Sequence, residues 1–192
     1  ADLRRAVALA IDRWNLVKLA LDGYGTVAHW PAPSGFFGIP GEEGPIRYDP
    51  EAAARMVVEH PEWTAEPIRL ATFGQPRMYF PDPQRVASLI RSDLEAVGFR
   101  VEIVNRDFKS HLHATRRGDF EMALLGWMAD TPDPDNFLST FFHSRAAEPG
   151  SATNISFYRN PEMDALLEAA LAERECRERA ADWADNFETY CF

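Results

Sequence analysis

Apolar side chains recur with two alternating periods along the middle of the chain. "IRLATF" (68–73) alternates and predicts a strand. "DPQRVASLIRSDLEAVG" (82–98) changes to helical spacing, with Val86, Leu89, Ile90, Leu94 and Val97 on one face. Asp82 is placed to cap that helix, Pro83 to start it and Gly98 to end it. "FRVEIV" (99–104) alternates strictly and predicts a second strand. "DFKSHLHATRRGD" (107–119) predicts a helix ending at Gly118, and "FEMALLGW" holds a third, apolar strand over 120–126. Strand, helix, strand, helix, strand favours right-handed crossovers and an α/β fold with a mostly parallel sheet flanked by helices.

The flanks follow other patterns. Residues 2–21 have helical spacing with a break near Asp12–Arg13, closed by Gly23 and Gly25. Residues 26–50 are rich in Pro and Gly and predict an irregular surface segment. "DPEAAARMVVEH" (49–60) predicts a short helix with Asp49 as N-cap and Pro50 at its first position. Residues 160–188 predict a long acidic helix beginning at Asn160, with a solvated face. Cys176 and Cys191 would lie about 22 Å apart on such a helix, too far for a disulfide.

Composition narrows the function classes. With 192 residues and a 46% apolar content, the chain can bury a core as one large domain or two small ones. The expected partition is a single domain over 1–192: a helical and irregular part (1–66), a β-α-β-α-β part bearing the ligand loops (67–160) and a C-terminal helix (161–192). A net charge of −10 argues against nucleic acid as a partner. No stretch is long and apolar enough to predict membrane insertion. "ADLRRAVALAIDR" is a helix pattern rather than a signal peptide, so it leaves the question of export unanswered.

Ligands of open α/β sheets bind beyond the carboxyl ends of the strands. Two loops fall there. "GWMADTPDPDNF" (126–137) carries Asp130, Asp133 and Asp135 beside Trp127 and Met128; "GQPRMYFPD" (74–82) carries Arg77, Tyr79 and Phe80. A cation-seeking and an anion-seeking loop on one edge suit a zwitterionic ligand. Loop aspartates usually fix turns. Trp127 favours a binding role for Asp130, since an aromatic wall lowers the dielectric around a carboxylate–ammonium pair. Asp133 and Asp135 are expected to fix the turn, with Asp135 or Asn136 capping a short helix over "NFLSTFF". Arg77 offers a guanidinium that matches a carboxylate in bidentate geometry, although most arginines make only surface ion pairs. "HLH" (111–113) does not read as a metal site, because i and i+2 do not share a helix face. No dinucleotide fingerprint, phosphate loop or nucleophile elbow occurs. Nothing positions a water or nucleophile beside Asp133 and Asp135. Neither a cofactor, a metal nor an enzymatic activity is expected.

The combined motifs resemble a known family. "RRAVALAIDRWNLVKLALDGYGTVAHWPAPSGFFG", then "YFPDPQRVASLIRSDLEAVGFRVEIVNRDFKSHLHATRRGDFEMALLGWMADTPDPDNFLSTFFHS", then "NISFYRNPEMDALLEAA" are similar to the extracytoplasmic solute-binding proteins of peptide ABC transporters, family 5. The resemblance covers roughly residues 2–172. It implies a periplasmic-binding-protein type II-like lobe, the C-terminal one of two, that binds short peptides and works with a membrane permease outside the cytoplasm. It implies that Asp130 holds the peptide ammonium, Arg77 the carboxylate, and that Trp127 lines the pocket; Tyr79, Met128 and Asp133 are grouped with them. Family proteins are more than twice this length, and after about residue 172 the chain departs from their pattern. A ligand-sensing or interaction domain outside transport, or the same scaffold binding a non-peptide solute, is the alternative.

Overall fold

The computed structural model describes residues 2–36, 38–40, 44, 47–131 and 133–173. Its chain divides into two compact units, Ala1–Val27 with Ile46–Ala114 and Phe120–Gly126, and Ala28–Pro45 with Thr115–Asp119 and Trp127–Phe192.

The first unit holds the sheet. Helices α1 (Asp2–Ala10) and α2 (Arg13–Ala20) divide where the sequence pattern breaks, because the Asp12 carboxylate accepts the amide of Asn15 and caps α2. The α3 helix (Pro50–Glu59) begins as expected, with the Asp49 side chain accepting from Ala52 N. Strand β1 (Ile68–Phe73) is followed by α4 (Pro83–Ala96), capped by Asp82 through Arg85 N. Strand β2 (Val101–Arg106), α5 (Phe108–Thr115) and β3 (Met122–Ala123) complete the order. The three strands are parallel in the order β2–β1–β3. Leu70 and Phe73 of β1 and Leu94 of α4 are fully buried, and Ala6 and Ala53 let α1 and α3 approach closely. Truncating Leu94 to Ala would cost about 2–5 kcal/mol.

Two strand boundaries differ from the sequence pattern. β2 starts at Val101, not at residue 99. Gly98, at φ +104°, and Phe99 instead close α4: Gly98 N donates to Glu95 O and Phe99 N to Leu94 O, the paired bonds of a Schellman end. Phe99 is apolar because it seals the helix terminus, not because it belongs to the ladder. β3 is far shorter than 120–126. After Ala123 the amide of Leu124 still donates to Ala71 O, but the Leu124 carbonyl is taken by His111 Nε2 at 2.7 Å. A side chain thus replaces the ladder. Before the strand, Glu121 turns its carboxylate onto Arg69 at 2.7 Å from both Nε and Nη2, which holds that carboxyl below the usual range.

The second unit is built on α6 (Asp135–Phe142) and α7 (Pro161–Ala172), which bury Leu138, Met163 and Leu167 with Trp30. α7 begins after Asn160, as expected, and the Asn160 side chain caps it through Glu162 N. The cap of α6 is not Asp135 or Asn136. Pro134 occupies that position without a side-chain bond, while Asp135 accepts from Ser139 Oγ within the helix and Asn136 is engaged by Trp127. Asn154 is fully buried and donates to the carbonyls of His143 and Tyr158, which braces the chain between α6 and α7. The expected continuation of α7 to residue 188, and both cysteines, lie outside the described residues.

Candidate functional site

The carboxyl ends of the parallel strands open the site in the first unit. Beyond β1 the chain makes a tight reversal: Arg77 N donates to Phe80 O at 2.8 Å, and Phe80 N returns the bond to Arg77 O at 3.0 Å. Met78 and Tyr79 form its tip, and Met78 is exposed. The Arg77 guanidinium carbon lies 3.6 Å above the centroid of the Phe108 ring, within cation–π range. Phe108 in turn meets Phe73 edge-on at 5.1 Å. Arg77 Nε is a buried atom without a hydrogen-bond partner among the described residues. The guanidinium is thus held from the side while part of its donor capacity is unspent.

Tyr79 is half-buried, and burial pushes its hydroxyl pKa up against the opposing pull of the Arg77 charge. Its ring lies on Gly126, the residue that ends the third apolar segment. A Cβ added at Gly126 would sit 2.1 Å from Tyr79 Cδ2, so only glycine fits there. This contact ties the loop after β1 to the segment after β3. The sequence pattern placed Gly126 in a strand and gave no sign of the role.

In the second unit, Trp127 is 39% exposed. Its Nε1 donates to Asn136 Oδ1 at 2.8 Å, and its ring stands edge-on to Phe141 at 5.5 Å. Asn136 and Phe141, both on α6, therefore orient the indole. Met128 is exposed. Asp130 is also exposed, and its carboxylate has no hydrogen bond or ion pair among the described residues. Asp133 is engaged locally: its Oδ1 accepts from Asp135 N at 3.0 Å, and its carbonyl accepts from Asn136 N at 3.1 Å. This is the turn-fixing task expected of it.

His111 of the "HLH" pair is completely buried, and its bond to Leu124 O joins α5 to the sheet. Burial first, and then the charge of Arg106, press its pKa below the ordinary value, partly offset by that bond. His113 lies on another face of the helix.

Comparison with known proteins places the chain. Residues 1–149 match the model of bacterial extracellular solute-binding proteins, family 5 Middle. The dipeptide-binding protein of Escherichia coli is 28% identical over 177 residues, covering 92% of this chain and 33% of that protein. The heme-binding protein A of Haemophilus influenzae is 29% identical over 186 residues, covering 93% of this chain and 32% of that protein. The ABC transporter-associated periplasmic binding protein DppA from Helicobacter pylori, solved in complex with peptide STSA, has a TM-score of 0.87 at 28% identity, covering 98% of this chain and 36% of that one. The chain therefore spans about a third of the length of these relatives. The sheet is that of a type II periplasmic binding protein, and the chain belongs to the bacterial extracellular solute-binding proteins of family 5.

Proposed function

We propose that this chain is the C-terminal lobe of an extracytoplasmic receptor that binds short peptides and delivers them to the permease of an ABC transporter. Arg77 takes the peptide carboxylate and Asp130 the ammonium, with Trp127, Met128 and Tyr79 against the peptide body and Asp133 fixing the turn. The observation that carries this reading is Arg77: a guanidinium stacked on Phe108 with a buried Nε–H lacking an acceptor among the described residues. A carboxylate supplies that acceptor in bidentate geometry. Relatives named for dipeptide binding support the choice of ligand. The role is capture without chemistry, and no helix among the described residues is long and apolar enough to cross a membrane. A second reading, a non-peptide solute on the same scaffold, is favoured by the relative named for heme.

Titration calorimetry of the full chain with Ala-Ala, its N-acetyl form and its C-terminal amide tests the assignment. Both end-blocked forms are expected to bind more weakly than Ala-Ala, the amide most. Equal affinity for all three forms rules out the end-clamping roles. Binding of haem in place of all three establishes the second reading.

A further inference from the structure

We infer that Arg106 is a second anion-binding residue in the first unit, and that the ligand it selects carries an acidic side chain on the same residue whose carboxylate Arg77 takes. The inference rests on the peptide reading for its ligand, and on the following geometry for its charge.

Arg106 is the last residue of β2, in register with Phe73, the last residue of β1. Val101 and Ile103 pack against the helix-covered core. Period-two alternation therefore sends residue 106 to the opposite face, that of α5. The effect of its charge on buried His111 of α5 agrees with that placement. The same face carries Phe73, whose ring meets both Phe108 and His111 at 5.1 Å. Arg77 stacks on Phe108 of this cluster. One guanidinium thus stacks on the aromatic cluster at the carboxyl edge of the sheet, and a second belongs to a residue at that edge on the same face. Arg106 Nη1, like Arg77 Nε, is a buried atom without a hydrogen-bond partner among the described residues. Neither arginine takes part in an ion pair among those residues. The neighbouring carboxylate, Asp107, accepts from Ser110 N at the start of α5.

Buried guanidinium donors left unspent are unfavourable unless an anion completes them. One carboxylate satisfies one fork. The second fork calls for a second carboxylate on the same ligand, which an Asp or Glu at the C-terminal position of a peptide provides.

The test uses the full chain with Ala-Glu and Ala-Gln, which are nearly isosteric and differ in the side-chain charge. The native chain is expected to bind Ala-Glu roughly 10- to 100-fold more tightly, the span of one charge-assisted hydrogen bond. Arg106→Met should abolish that ratio, while Arg106→Lys keeps part of it. Equal affinities in the native chain, or a ratio that survives Arg106→Met, overturn the inference. Should neither peptide bind, the peptide reading has failed, and thermal unfolding with glutarate decides the charge assignment alone. A rise in Tm in the native chain that Arg106→Met removes sustains the second anion site; no rise overturns it. Circular dichroism of each variant reports that it is folded.

Discussion

The loop after β1 and the loop after β3 hold their charged residues in different ways. Arg77 is fixed at both ends of its side chain: the backbone by two hydrogen bonds with Phe80, the guanidinium by the face of Phe108. Asp130 has no such support among the described residues, and the bracing of its loop goes to Trp127 and Asp133 instead. An anion therefore meets a donor that has already given up rotamer freedom, whereas an ammonium must first order an exposed carboxylate. The two ends of a peptide should accordingly contribute unequally in this chain, with the carboxylate end dominant.

Removing the charge of the braced residue should have the largest effect. Arg77→Met is expected to weaken Ala-Ala by about 1.5–3 kcal/mol, the worth of a hydrogen bond to a charged group. The C-terminal amide of Ala-Ala should lose far less. Calorimetry on both ligands checks this, and an equal loss for the two would mean that Arg77 serves only to pack against Phe108.

Gly126→Ala attacks the brace from the opposite side. Its Cβ would enter the Tyr79 ring, so either the reversal at Arg77 or the segment after β3 must shift. Overpacking of this kind costs about 1–3 kcal/mol. Urea unfolding should show the loss of stability, and Gly126→Ala with Tyr79→Ala should recover part of it, since the clash needs both partners.

His111 makes the first unit sensitive to acid. Its folded pKa lies below the unfolded value, so the unfolded state binds the proton more readily. Its contribution is complete above the unfolded pKa, about 6.5, and is lost as pH falls through the folded value. Chemical unfolding at pH 8 and pH 5 should show a decrease for the native chain. In His111→Gln that part of the difference should vanish, at the cost of a lower stability at pH 8 from weakening the bond to Leu124 O.

Most of the fold was legible in the sequence because local rules and tertiary structure agree. The caps read at Asp49 and Asp82 act through nearby amides, the break at Asp12–Arg13 and the start at Asn160 fall where the structure adds two more caps of the same kind, and the alternation of periods two and 3.6 matches the element order. Misreadings arose where a side chain took over a backbone task. His111 ends the β3 ladder, and no periodicity reports a contact thirteen residues away. Phe99 looked like strand because a buried helix terminus is as apolar as a buried strand. For the candidate site, residue types at the strand ends pointed to Arg77 and Asp130. What supports them was not visible: Phe108 lies far along the chain from Arg77, and Gly126 matters only because the Tyr79 ring arrives there. Arg106 was missed for a related reason, since reading β2 over 99–104 left that residue in a connecting turn rather than at a strand end.

The smallest predicted effect is also the one that best separates the two loops. In a dry, enclosed pocket the loss of one charge partner costs about 2–5 kcal/mol. Asp130 is exposed here, so water screens an ammonium held by it, and the cost should be nearer that of an exposed pair, about 0–1 kcal/mol. Asp130→Asn should therefore weaken Ala-Ala only slightly in this chain, and N-acetyl-Ala-Ala not at all, because that ligand carries no ammonium. Asp133→Asn should behave in the opposite sense. It weakens the acceptor for Asp135 N and should lower thermal stability, by roughly 0.5–2 kcal/mol as for the loss of a helix cap, while leaving the ratio between the two peptides unchanged. Calorimetry and thermal unfolding give two peptide affinities and one Tm for each variant. If Asp130→Asn instead weakens the free peptide by several kcal/mol, Asp130 is enclosed when ligand is bound, and the inequality between the two loops disappears on binding. If it weakens both peptides equally, Asp130 is a turn residue, and the ammonium is held elsewhere.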